Sequence, residues 1–384
     1  MNEARQVLAG GQVLTPDGLR SGLAVVLAGA RIEAVVPAGE AGSATTRLAS
    51  DAILAPGFID AQVNGGGGVL FNDDPSPAGL RAITAAHRRF GTTGLLPTLI
   101  TDAPERMQAA AEAVVAAMAE PGSGVLGVHF EGPFISTERP GVHDPRHIRP
   151  ITAADVDFLA GCAARLPGSV LLTVAPECVP DETLERLAAA GVILSAGHTA
   201  ASFERMRAAF GLGVRGATHL FNAMPQPASR APGPAAAAML DAGSWCGIIA
   251  DGIHVHPAML RLALRCKTPG RVYLVTDAMP PTGTDATGFR LGGRTILRRD
   301  GRLTAEDGTL AGADIDMAAA VRNAVGMLGV EPAEALRMAS TCPADFLRLA
   351  DRGRIAPGCQ ADLVQLSPDL RVEGSWVAGE WQAA

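Results

Sequence analysis

The sequence predicts an α/β protein: a (β/α)8 barrel of the TIM type with a small composite β-sandwich domain built from both chain ends. Three observations carry this expectation. Eight short apolar runs recur between residues 57 and 279, helix-patterned segments lie between most of them, and the two termini show no helical period. The 384 residues, 48% of them hydrophobic, are enough for one large core and one small one.

Residues 1–55 read as short β-like runs, at 12–14, 23–27, 31–36 and 52–54, separated by Gly, Pro and Asp. The stretch 355–384 has the same texture in ADLVQL, RVEGSWV and GEWQ, so the two ends are expected to pair into one domain, with 56–354 forming the barrel. The eight runs are GFIDAQVN (57–64), TTGLLPTLIT (92–101), GVLGVHFEGPF (124–134), SVLLTVAPE (169–177), GVILSAGHT (191–199), GATHLFNAM (216–224), WCGIIADGIHV (245–255) and RVYLVTDAM (271–279). Segments such as PAGLRAITAAHRRF and DETLERLAAA, between them, have helical spacing. An open doubly wound sheet is the rival architecture. It would place GxGxxG after the first strand, and the glycine run 65–68 lacks that spacing. After the eighth run, residues 289–312 read as a hairpin-like excursion with turns at Gly292-Gly293 and Asp300-Gly301, before helical texture resumes.

Composition narrows the function classes. A net charge of -7, a single tyrosine and no basic patch argue against a nucleic-acid partner. No apolar run approaches the ~20 residues that span a bilayer. The N-terminus lacks a basic region followed by an apolar core, and the six cysteines form no CxxC pair, so a cytoplasmic location with reduced thiols is expected. Lys267 is the only lysine, and no GxxxxGK[ST] loop surrounds it.

In a barrel the chemistry belongs at the C-terminal ends of the strands. Read there, strand one ends on Gln62 and Asn64, strand three on Glu131, strand five on His198, strand six on His219 and Asn222, strand seven on His254 and strand eight on Asp277. Two imidazoles and a carboxylate make a catalytic metal set with an open position. A metal there activates water and polarises a carbonyl. Asp277 is placed to serve as general base and then general acid, and His143, just past Glu131, to donate to a developing oxyanion. His129 shares the face of Glu131 and is a minor candidate for a supporting group behind the metal, a structural histidine being the favoured reading. His87 and His147 are expected to be solvated, or in the case of His87 locally packed. Gln62 and Asn64 are poor ligands for zinc or iron, and Lys267 lies at a helix end, away from the strand exits. One divalent ion per subunit, zinc or ferrous iron, is therefore expected.

Nine segments then fall in a recognisable order: PGFIDAQVNGGGG (56–68), GTTGLLPTLIT (91–101), HFEGPFIS (129–136), PGVH (140–143), AGHTAAS (196–202), THLFNAM (218–224), DGIHV (251–255), VTDAM (275–279) and TLAG (309–312). By them the chain resembles the N-acetylglucosamine-6-phosphate deacetylase family of the amidohydrolase superfamily. The resemblance implies hydrolysis of N-acetyl-D-glucosamine 6-phosphate to D-glucosamine 6-phosphate and acetate. It places Glu131, His198 and His219 on the metal ligands, Asp277 on the general base and acid, and His143 on the group that helps polarise the acetamide. It places Asn222 and Ala223 on substrate contacts near the sugar phosphate, and His254 and Arg230 on the phosphate, the arginine reaching in from the partner subunit of a homodimer. Gln62 and Asn64 resemble the single-metal branch. The rival functions are an amidohydrolase acting on a different N-acyl amino sugar or a cyclic amide, and a non-catalytic barrel, which would have lost its ligands.

Overall fold

The computed structural model describes residues 5–384. Its centre is eight parallel strands: β1 (Phe58–Val63), β2 (Thr92–Ile100), β3 (Gly127–Glu131), β4 (Ser169–Val174), β5 (Ile193–Ala196), β6 (Val214–Ala217), β7 (Trp245–Ile248) and β8 (Val272–Leu274). Each pairs with the next in sequence. The last edge meets the first just beyond β8. Val63 bridges Ala278, the Asp277 amide donates to the Gln62 carbonyl, and the Asn64 amide donates to the Ala278 carbonyl. The sheet is thus a barrel, and the open-sheet rival falls away.

The strands are buried almost throughout, and largely apolar, because both their faces are covered. Helices α1 (Pro77–Arg88), α2 (Pro104–Met118), α3 (Ala153–Arg165), α4 (Asp181–Ala189), α5 (Phe203–Gly211), α6 (Gly233–Leu240), α7 (Pro257–Cys266) and α8 (Met317–Gly326) surround them. Local chemistry starts several of these. Ser76, Ser202 and Asp316 accept the first free amides of α1, α5 and α8, and Thr152 with Asp155 forms a reciprocal capping box on α3. Pro97 sits inside β2, where the ladder to β1 shifts register between Leu95 and Pro97, so its missing N–H leaves no gap in a regular ladder.

Helix α1 corrects one expectation. His87 is not solvated: it continues the Leu80–Ile83 stripe, is fully buried, and its Nε2 lies 3.0 Å from the Gly65 carbonyl oxygen. Burial pushes its pKa down to about 4, so it is a neutral tie between α1 and the exit of β1. His147 is likewise half-buried rather than free in solvent. Lys267, at the end of α7, is buried, and its ammonium donates to the carbonyls of Ala238 and Asp241 and to the Ser244 hydroxyl. It closes the C-terminal end of α6, where a cation is favoured.

One layer of the barrel interior is polar. Asp60 and His129 lie two residues before Gln62 and Glu131, on the same strand faces and one step deeper. His129 bonds Thr98 (3.2 Å) and Thr173 (2.8 Å), Thr173 bonds Thr218 (2.7 Å), and Thr218 donates to Ser195 (2.8 Å). Asp60 accepts from the Gln62 amide and from the amide and hydroxyl of Thr276, joining β1 to the end of β8. Burial, far ahead of the charge of Asp277, raises the Asp60 pKa to about 7.

A raised carboxyl pKa has a defined sign. The fold keeps the Asp60 proton while the unfolded chain releases it, so this contribution is complete below about pH 4 and is lost as pH rises through about 7. Asp60→Asn is therefore expected to gain on the wild type by about 4 kcal/mol between those limits, three pKa units at about 1.4 kcal/mol each. Urea midpoints of both proteins at pH 5 and pH 8 check this. A difference that does not change with pH would place the Asp60 pKa near its ordinary value.

The chain ends form a composite β unit, as expected. Leu363–Leu366 runs antiparallel to Ile53–Pro56 in a six-stranded sheet drawn from both ends of the chain, and a four-stranded sheet built on Arg5–Ala9 and Leu23–Ala28 accompanies it. Leu8, Val25, Leu54, Leu363 and Trp376 share the core between them. The excursion after β8 is a three-stranded ribbon (Gly288–Leu291, Arg294–Arg299, Arg302–Ala305) turning at Gly292-Gly293 and Asp300-Gly301. Leu291, Ile296 and Leu303 of the ribbon pack on Ile100 and Met279 at the barrel mouth. Among the described residues no helix is long and apolar enough to cross a membrane.

Candidate active site

Glu131 is the last residue of β3, and His198, His219 and Asp277 lie two to three residues past β5, β6 and β8. The strands therefore deliver all four to one end of the barrel. At the exits the backbone turns sharply. His198 (φ 48°), His219 (φ 30°), Ala223 (φ 48°) and Asp277 (φ 51°) adopt the left-handed region, which side chains other than glycine rarely enter. Such conformations cost roughly 1–3 kcal/mol each and persist where the surroundings over-determine them. Here they swing the imidazoles and the carboxylate inward over the barrel axis.

The Glu131 Oε1 atom lies 3.0 Å from His219 Nε2 and 3.3 Å from His198 Nε2, and the two nitrogens are 3.2 Å apart. Four donors around a zinc ion at 2.0–2.1 Å stand about 3.3 Å from one another. The triangle fits an ion, and the donor chemistry, two imidazoles and a carboxylate, suits zinc or ferrous iron. Glu131, His143 and His198 also offer ligand atoms within 4.8 Å of one another, although His143 Nε2 is 4.0 Å from the nearer Glu131 oxygen.

The electrostatics divide the two acids. Burial would raise Glu131, but the hydrogen bonds and charge of His198 and His219 outweigh it and hold the carboxyl well below its usual range. Asp277 is pushed up to about 6, first by burial and then by the charge of Glu131. Two acids with separated proton affinities suit a pair in which one stays charged and the other exchanges a proton. Burial, followed by the charge of His198, pushes His143 down to about 3 and keeps it neutral. The amides singled out on strand one bind these acids. Gln62 donates to Glu131 (3.0 Å) and to Asp277 (3.2 Å), and Asn64 donates to Asp277 (2.6 Å).

A cavity of about 510 Å³ opens above this set, lined by Glu131, His143, His198, His219 and Asp277 at its floor and by Asn64, Asn222, Ala223 and His254 among its other residues. Gln62 stands behind the two acids. His254 Nδ1 lies 2.6 Å from Asp251, which turns the ring. Arg230 is exposed in the loop before α6 and is not among the residues of this chain that line the cavity. His129 lies beneath Glu131 in the polar layer rather than in the cavity. Sequence reasoning missed Asp251, Thr101 at the end of β2, the loop 138–142 and residues 308–310 and 312, just past the ribbon, all in or beside the cavity wall. Each group touches a segment already singled out: Thr101 closes GTTGLLPTLIT, PGVH holds 140–142, DGIHV holds Asp251 and TLAG holds 309, 310 and 312; the segments mark the neighbourhood without marking these side chains.

Two imidazoles and a carboxylate at the spacing of metal ligands, beside an acid with a raised proton affinity at the mouth of a (β/α)8 barrel, define a class. The model of the amidohydrolase family matches residues 53–382, and the chain belongs to that family and is an amide hydrolase. It is 45% identical to the N-acetylgalactosamine-6-phosphate deacetylase of Shewanella sp. strain ANA-3 over 87% of this chain and 84% of that protein. It is 36% identical to the N-acetylglucosamine-6-phosphate deacetylase of Haemophilus influenzae over 95% of this chain and 96% of that protein. The crystal structure of N-acetylglucosamine-6-phosphate deacetylase from Pasteurella multocida superimposes with a TM-score of 0.94 at 34% identity, covering 99% of this chain and all of that one.

Proposed function

We propose that the protein removes the acetyl group of N-acetyl-D-glucosamine 6-phosphate, yielding D-glucosamine 6-phosphate and acetate. The observation that carries this reading is the convergence of Glu131, His198 and His219 beside Asp277 on the floor of one cavity whose wall includes Asn222, Ala223 and His254. The relatives named above support the substrate class. A divalent ion, zinc or ferrous iron, held by Glu131, His198 and His219 would acidify water and polarise the acetyl carbonyl. Asp277, as carboxylate, takes the proton of the attacking water. His143 donates a hydrogen bond to the carbonyl oxygen as charge gathers there. When the C–N bond breaks, Asp277 returns its proton to the departing amine nitrogen, and the second proton of the water, left on the carboxyl product, passes to the free amine or to solvent, so that acetate is released. Asn222, Ala223 and His254 orient the phosphorylated sugar. Arg230 completes the phosphate pocket from the partner subunit of a homodimer, since its planar, permanently charged guanidinium suits that group. The six free cysteines are compatible with work in the cytoplasm.

A second reading has its own support. The relative at 45% identity acts on the galacto epimer, so N-acetyl-D-galactosamine 6-phosphate is the alternative substrate. Acetate release by the zinc-loaded protein, measured on both 6-phosphates and on unphosphorylated N-acetylglucosamine, separates the cases. Higher kcat/KM on the gluco phosphate upholds the first reading and higher kcat/KM on the galacto phosphate the second. Equal turnover of the unphosphorylated sugar would remove the phosphate pocket from both. Arg230→Ala is expected to raise KM for the phosphorylated sugar about tenfold or more at little cost in kcat, as loss of one charge-assisted bond requires. An unchanged KM would take Arg230 out of the pocket.

A further inference from the structure

Two imidazoles beside Glu131 meet opposite kinds of partner, and the difference assigns their protons. His198 Nδ1 lies 2.9 Å from the Arg139 carbonyl oxygen, which can only accept. The proton therefore sits on Nδ1, and His198 Nε2 turns a bare lone pair toward Glu131 and His219, as an ion ligand must. His143 Nδ1 faces Thr101 instead. The Thr101 hydroxyl is 2.7 Å away and has a second, longer acceptor in the Glu131 carbonyl oxygen at 3.3 Å; the Thr101 backbone N–H, which can only donate, aims at the same His143 nitrogen from 3.4 Å and decides the direction. A proton on His143 Nδ1 would set two N–H groups against each other in a buried place, leaving the amide unpaired. His143 therefore accepts at Nδ1 and carries its proton on Nε2, the atom 4.0 Å from Glu131 Oε2.

Thr101 is held in place to do this. It is buried, and a Cβ on Gly132 would come within 2.1 Å of its hydroxyl oxygen, so only glycine, at φ 85°, allows the close approach. We propose that Thr101 is a positioning residue that locks His143 in its Nε2–H tautomer, making His143 a hydrogen-bond donor to the acyl oxygen of the substrate and not an ion ligand. The identity of the acyl oxygen rests on the deacetylase reading; the tautomer does not.

The test uses zinc-loaded full-length protein labelled with 15N-histidine, the His143 signals being identified by their loss in His143→Asn. A protonated Nε2 and an unprotonated Nδ1 are expected; a protonated Nδ1 overturns the proposal. Zinc affinity by chelator competition is the second readout. His143→Asn is expected to stay within about threefold of wild type, whereas His198→Asn loses more than about 100-fold, beyond what supporting groups usually contribute. A comparable loss in His143→Asn would make His143 a ligand and refute the proposal. In turnover, Thr101→Val should lower kcat about tenfold with KM little changed, the worth of one hydrogen bond, and Thr101→Ser should restore it. Wild-type kcat in Thr101→Val would remove Thr101 from its role. Absence of acetate from every sugar, with the Nε2–H signal present, would sink the substrate reading and uphold the tautomer.

Discussion

Asp277→Asn is expected to lose on the order of 10²–10⁴ in kcat while the protein keeps its metal. Asparagine preserves the shape, and its side-chain oxygen still accepts from Asn64, so the geometry of the exit from β8 survives. What disappears is the carboxylate at the floor whose proton affinity suits taking and returning a proton near neutrality. Glu131 is held charged by its two histidines, and His143 is held neutral. The same logic fixes a pH dependence. Asp277 must be a carboxylate to act as base, so kcat/KM falls as pH drops through its pKa. That pKa is pushed up to about 6 by burial and by Glu131. A cation on Glu131 offsets the second cause and lowers it, so the acid limb lies at or below pH 6 in the loaded enzyme. Metal analysis together with pre-steady-state turnover checks both halves; near-normal turnover in Asp277→Asn would end the assignment of the base.

The second large effect is expected at the ligands. Dialysis against a chelator should abolish acetate release by at least about 10³-fold, since an ion supplies several kcal/mol of charge stabilisation, and added zinc should restore it. Glu131→Gln should mimic the stripped protein even with zinc in excess, because a neutral amide is a poor ligand for this ion. The variant should nonetheless fold. Glu131 is one residue in a barrel core shared by all eight strands, and Gln62 and His219 retain partners for an amide at that place. Its Tm should match that of the stripped wild type and lie below that of the loaded wild type, by the ligand's linkage to the native state. A Glu131→Gln protein that binds zinc as tightly as wild type would refute the ligand set.

The barrel was legible because its strands are buried on both faces and so read as mainly apolar runs, and because most of the polar residues in those runs lie at the exits, Asp60 and His129 one step deeper being exceptions. Glu131, His198, His219 and Asp277 stood out as polar endings to apolar stretches, and the cavity floor gathers all four. His87 stayed open between solvent and local packing because a single histidine on an apolar stripe resembles one at a helix end; only the docking of α1 against Gly65 and Gly66 decides for packing. Thr101 and residues 308–310 and 312, just past the ribbon, escaped for a related reason: their contacts, to His143 and to the cavity, are made across the fold, and nothing in their local sequence encodes the partner. Asp251 meets His254 three residues on, within a single segment, and was passed over in favour of the histidine. Arg230 depends on the assembly, which lies a level beyond what local pattern reports.

The buried ammonium of Lys267 has a practical consequence. Because it is the chain's sole ε-amine and is enclosed by two carbonyls and a hydroxyl, the native surface offers an acylating reagent no lysine at all. Covalent tagging, crosslinking or immobilisation through lysine is closed while the barrel stands, and opens by one equivalent when the α6–α7 region comes apart. The protein thus carries an internal single-hit reporter of its own opening, readable by mass as one acyl group added at Lys267.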